Sequence, residues 1–131
     1  MRLLLDTHTF LWAISEPERL PVKARRAIED ETISTFVSAI VFWEITIKVR
    51  IGKLELGWDD DLIAAALNAG IEPLPLTPEE AATYGELTES SHNDPFDRML
   101  IWQAIQRDLV LVSGDPEFQK FKTDGLRLLW R

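Results

Sequence analysis

Short apolar runs alternate with segments of helical spacing along the whole chain. Arg2-Leu-Leu-Leu5 is an apolar run closed by Asp6-Thr7, the pattern of a buried strand feeding a helix. Phe10, Leu11 and Ile14 then recur at helical spacing and predict a helix over Thr7–Ile14. Pro21, at the favoured first position, opens a second helix running from Val22 to about Asp30. The β-branched alternation of Thr32–Val37 predicts a second strand. Ser38 caps a long helix to about Arg50, stopped by Gly52. Positions 40, 43, 44, 47, 48 and 51 share one face of it, apolar except for Glu44 and Lys48, which predicts Trp43 and Glu44 buried together.

The alternation continues to the C-terminal end. Asp59-Asp60-Asp61 starts a helix that Gly70 ends, and Ile71–Leu76, broken by two prolines, predicts a short edge strand. Thr77-Pro78-Glu79-Glu80 is a capping box. Asp94-Pro95-Phe96-Asp97 starts a helix to about Arg107, and Leu109–Val112 is a fully apolar central strand. Ser113-Gly114-Asp115-Pro116 opens a last short helix, and Leu126–Trp130 a last strand. Strands alternating with helices imply an α/β fold, a central mostly parallel sheet between helical layers, in one domain spanning 1–131.

Composition narrows the chemistry. With 131 residues the chain can bury a core without cross-links, and with no cysteine it has no disulfides, thiol nucleophile or cysteine-held metal. The opening lacks a signal-peptide pattern and the apolar stretch Phe36–Trp43 is too short to span a bilayer, so a soluble, cytoplasmic protein is expected. Asp+Glu outnumber Lys+Arg by 22 to 14, a net charge of −8. Such a chain has no general attraction for nucleic acid, and any such role must rest on local cations.

In open parallel sheets, ligands bind beyond the carboxyl ends of the strands, where strand order reverses. Asp6 and Asp115 fall directly after strands, Asp97 lies in the first turn of a helix, and Glu44 lies inside the helix after the second strand. Each has a plain structural reading. Asp115, Asp6 and the Asp94/Asp97 pair can be helix caps, and Glu44 with Lys48 can be an exposed i,i+4 ion pair. Together they predict four carboxylates converging at one end of the sheet. At about 5 Å and an effective dielectric near 20, each pair repels by about 3 kcal/mol, so the cluster needs raised pKa values or a cation. Oxygen donors without cysteine select Mg²⁺ or Mn²⁺ over zinc.

The blocks Leu5-Asp6-Thr7-His8, Trp43-Glu44-Ile45 with Lys48 and Gly52-Lys53-Leu54, His92-Asn93-Asp94-Pro95-Phe96-Asp97-Arg98, and Leu111-Val112-Ser113-Gly114-Asp115 resemble those of PIN-domain proteins. They are most similar to VapC-type toxins of bacterial type II toxin–antitoxin pairs, over essentially the whole chain. The resemblance implies a PIN-like three-layer α/β/α sandwich and a Mg²⁺- or Mn²⁺-dependent endoribonuclease. Asp6, Glu44, Asp97 and Asp115 would be its catalytic and metal-holding acids, and hydrolysis by a metal-activated water would leave a 5′-phosphate. Ser113 would position the water or the last acid, Asp94 would cap the helix beside the site, and Arg98 would contact phosphate or form a surface salt bridge. His8 and His92 would touch RNA or serve structure. A homodimer and a cognate antitoxin carrying Arg or Lys into the acidic groove are further implications. A catalytically silent PIN-like binding domain is the alternative. A phospho-acceptor receiver domain fails, lacking paired acids after the first strand, an acceptor Asp after the third and the late Lys.

Overall fold

The computed structural model describes residues 1–56 and 61–131. Among the described residues, five strands form one parallel sheet in the order β3-β2-β1-β4-β5: β1 Arg2–Leu5, β2 Ser34–Ser38, β3 Glu72–Leu74, β4 Val110–Val112 and β5 Arg127–Leu129. The helices are α1 Thr7–Ser15, α2 Val22–Glu29, α3 Ala39–Arg50, α4 Leu62–Asn68, α5 Pro78–Thr83 and α6 Pro95–Gln106, joined by three 3₁₀ segments, the last being Pro116–Asp124. The sheet is parallel throughout, where the sequence implied a mostly parallel one. Its interior strands carry the core: Leu3, Leu4, Leu5, Val37, Leu111 and Val112 are fully buried, packed with Phe10, Ile45, Ile101 and Phe121.

From β1 the chain builds outward to β2 and β3, then returns to lay β4 against the other edge of β1. The order therefore reverses between β1 and β4. Across that crevice Asp6 N–H donates to the Val112 carbonyl (3.3 Å), and the Thr9 hydroxyl donates to the same oxygen (3.0 Å). The carboxyl ends of β1 and β4 are thus held side by side.

Three local expectations differ from the fold. Pro21 is the residue before α2 rather than its first, with extended ψ of 148°. β2 starts at Ser34 because the Asp30 carboxylate accepts bonds from Thr32 N–H and hydroxyl (2.9 and 2.7 Å), turning the chain there. On α3 the buried residues are Ile40, Val41, Glu44 and Ile45, whereas Trp43 is 58% exposed and packs edge-on against Phe96. The sheet needs the stripe beginning at Val41 and Ile45, which turns Trp43 outward. The acidic start at Asp59 and Asp60 lies outside the described residues, while Asp61 caps α4 through Ala64 N–H. Among the described residues no helix is long and apolar enough to cross a membrane.

Candidate active site

At the end of β1, Asp6 caps α1, its carboxylate accepting from Thr9 N–H at 2.9 Å. It is 8% exposed, and burial pushes its pKa up despite hydrogen bonds from Ser113 and Thr9. Ser113, directly after β4, neighbours both acids of the crevice: its side chain opposes the rise in the Asp6 pKa, and its hydroxyl accepts from Asp115 N–H at 3.1 Å. Asp115 caps the following 3₁₀ segment through Glu117 N–H. Asp6 and Asp115 line one cavity of about 340 Å³, together with His8, Trp12, Gly114 and Trp130. Gly114 is forced: a Cβ there would lie 2.6 Å from the Trp130 ring.

The other acids gather between α3 and α6. Glu44 is 6% exposed, with one carboxylate oxygen accepting from the Thr7 hydroxyl (2.5 Å) and the other from Lys48 Nζ (2.6 Å). The i,i+4 pair with Lys48 forms on a buried carboxylate, as the apolar helical face around Glu44 predicts, and not as the exposed pair of the plain structural reading. Glu44 in turn raises the Lys48 pKa. Asp94 caps α6 through Asp97 N–H at 3.0 Å. Asp97 does not return a capping bond, because its carboxylate lies 2.9 Å from His92 Nε2. Burial first, then the charges of Asp94 and Glu44, raise the Asp97 pKa to about 6, against the pull of His92.

The fold therefore brings the predicted acids together in two groups. Asp6, Ser113 and Asp115 form one, and Glu44, Asp94 and Asp97 with Lys48 form the other. The Asp6-Thr7 step joins them, since Thr7 reaches Glu44. Arg98 stands apart: its guanidinium donates to the Tyr84 hydroxyl and to the carbonyls of Leu87, Glu89 and His92, fixing the loop before α6. It serves that loop and forms no salt bridge among the described residues. Thr7 was not singled out from sequence, because a threonine opening a helix carries no local sign of a partner 37 positions away. Gln103, fully buried, accepts from the Ser38 hydroxyl (2.5 Å) and locks the start of α3 onto α6.

These donors suit a hard divalent cation in kind, being carboxylates and a hydroxyl. Among the described residues no three of them already close around one point. Glu44 and Asp97 are instead held by the chain's own Lys48 and His92.

A small parallel α/β sandwich with acids at the strand-order reversal defines a class, and comparison identifies it. The PIN-domain family profile matches residues 3–123, and the chain belongs to the PIN-domain family. It is 33% identical over 135 residues to Ribonuclease VapC22 of Mycobacterium tuberculosis, covering 98% of each chain. Its fold is similar to a chain of VapBC2 from Rickettsia felis solved with a promoter DNA fragment (TM-score 0.73, 18% identity, 100% of both chains). It is also similar to a chain of DNA-bound VapBC from Salmonella typhimurium (TM-score 0.64, 20% identity, 98% of this chain and 97% of that one).

Proposed function

We propose that this chain is the toxin of a toxin–antitoxin pair, a cytoplasmic Mg²⁺- or Mn²⁺-dependent endoribonuclease formed by a single domain. The observation that carries the reading is the placement of Asp6 and Asp115 in one cavity at the β1/β4 reversal, with Glu44 one hydrogen bond away through Thr7. Likeness to a named VapC ribonuclease supports the activity, and likeness to VapBC complexes supports a protein antitoxin as partner. Asp6, Asp97 and Asp115 would hold the cation and Glu44 would complete the set. When bound, the ion supplies acidification of a water and compensation of charge developing on the phosphate oxygens. The chain's residues do the rest. Thr7 and Lys48 fix both oxygens of Glu44, so that carboxylate faces the site in one orientation. Ser113 accepts from Asp115 N–H beside Asp6, and His92 holds the Asp97 carboxylate. Burial raises the pKa of Asp6, and burial together with the charges of Asp94 and Glu44 raises that of Asp97, so a cation held beside them would favour their ionised forms.

The test is incubation of purified chain, freed of any partner, with total RNA and tRNA in Mg²⁺ or Mn²⁺, beside samples with EDTA, Asp6→Asn or Asp97→Asn. Discrete cleavage lost in all three is expected. Cleavage that survives both substitutions would refute this site, and tight Mn²⁺ binding without cleavage would favour a silent binding domain.

A further inference from the structure

Beside the acidic cavity lies a second one of different character. It has a volume of about 350 Å³ and is lined by Thr7, His8, Leu11, Lys48, Lys53 and Leu54. Its construction follows from the end of α3. Gly52 takes a left-handed φ of 77°, and the N–H groups of Lys53 and Leu54 turn back onto the Lys48 carbonyl (2.8 and 3.2 Å). That reversal brings Lys53 to the wall that already holds Lys48 one turn earlier. Both lysine side chains reach solvent: Lys48 is 40% exposed although its Nζ touches Glu44, and Lys53 is exposed. The opposite wall is the start of α1, where Thr7 is buried and His8 is exposed. His8 lines both cavities, so the acidic one with Asp6 and Asp115 and the basic one share a wall.

We propose that this cavity is a phosphate subsite for a single-stranded RNA backbone, holding the phosphodiester next to the one delivered to Asp6 and Asp115. The inference rests on the nuclease reading above. In a chain of net charge −8, an RNA strand gains nothing from the molecule as a whole and must be held where cations are concentrated. The Lys53 ammonium, the Lys48 side chain whose ammonium is shared with Glu44, a histidine and an apolar floor of Leu11 and Leu54 suit an anionic phosphate with its sugar. The side chain of Lys48 spans the boundary, one end on Glu44 and the rest on the basic wall.

The experiment compares wild type with Lys53→Ala, Lys53→Glu and, as a control of equal charge change, Lys23→Ala on the exposed start of α2. Two measurements are made: KM and kcat for an RNA that the wild type cleaves in Mg²⁺, and anisotropy of a fluorescein-labelled single-stranded RNA in EDTA over a salt series. One lost phosphate contact lowers the salt slope by about 0.7 and weakens binding about fourfold at physiological salt. Lys53→Ala should therefore raise KM and Kd about fourfold with kcat little changed. Lys53→Glu should raise them about tenfold or more, and Lys23→Ala should match wild type. Cleavage and binding in which Lys53→Ala equals Lys23→Ala would overturn the subsite and leave the nuclease intact. Lys53-dependent RNA binding without cleavage would keep the subsite and refute the nuclease. Absence of RNA binding by wild type would overturn both.

Discussion

Replacing Asp97 by asparagine should stabilise the folded chain at neutral pH while removing its cleavage. The Asp97 carboxyl titrates near 6 in the fold against 3.8 when exposed, chiefly because it is buried and then because Asp94 and Glu44 lie close. Below the lower value it is protonated in both states and costs nothing. As pH rises through the window between the two values, the folded state takes up an ionisation it resists, and that part of its stability is lost. Two units correspond to about 3 kcal/mol. A quarter of the side chain is exposed and asparagine keeps only part of the His92 contact, so about 1–3 kcal/mol should be gained. In a chain of this size that is a rise in Tm of about 4–10 °C. The assay is urea unfolding in EDTA, followed by tryptophan fluorescence near pH 7.5 and again near pH 5, where about half the gain should remain. A variant no more stable than wild type near pH 7.5, or a gain that does not shrink toward pH 5, would refute the reasoning.

Thr7→Val keeps the shape of α1 but leaves a buried oxygen of Glu44 without its donor; a loss of about 1–3 kcal/mol in thermal unfolding and at least tenfold slower cleavage are expected. Arg107→Met strips Glu80 of the bidentate partner (2.6 and 3.0 Å) that, against its burial, holds that carboxyl at about 2. The stabilisation behind that lowering, about 3 kcal/mol in all, is shared with Thr77 N–H and Gln103; it is present above pH 4.5 and lost as pH falls through 2, so wild type should lose an advantage of about 1–2 kcal/mol over the variant in acid melts. Gly114→Ala drives a methyl into Trp130 and should cost about 1–3 kcal/mol, with altered tryptophan emission as the local readout.

Much of the candidate site was legible because the residues proposed for it also do ordinary local work. Asp6, Asp94 and Asp115 are helix caps in the structure, as their positions before Thr7, Pro95 and Pro116 suggested. The apolar runs Leu3–Leu5 and Val110–Val112 told that β1 and β4 are buried on both faces, and helices between strands told that the sheet is parallel. What stayed hidden depends on which elements meet. Trp43 sits on a helical face that looks apolar in sequence, yet Val41 and Ile45 win the sheet and leave it beside Phe96 on the surface. The contacts Thr7–Glu44, His92–Asp97 and Ser38–Gln103 each join separate elements, and nothing local marks them. Arg98 carried a charge that suited phosphate, but its five N–H donors suit a loop of free carbonyls equally well, and that loop precedes it in the chain.

The objection raised by the overall charge dissolves once distance is considered. At physiological ionic strength charges are screened beyond about 8 Å, so acids spread over the surface neither repel a bound strand strongly nor decide where it lies. The groups in contact decide. At this end of the sheet they are graded: carboxylates at Asp6 and Asp115, then His8 on the shared wall, then Lys48 and Lys53. Lys48 serves twice in that gradient. Its ammonium lets Glu44 stay buried, which an unpartnered carboxylate could not do without several kcal/mol of desolvation, and its exposed part continues the basic wall. Lys48→Met should therefore disturb Glu44 and weaken RNA binding together, whereas Lys53→Ala should weaken RNA binding and leave Glu44 alone. Thermal melts at neutral pH and anisotropy on the same two variants separate the roles, and equal behaviour of the two would show that the cavity acts only through Glu44.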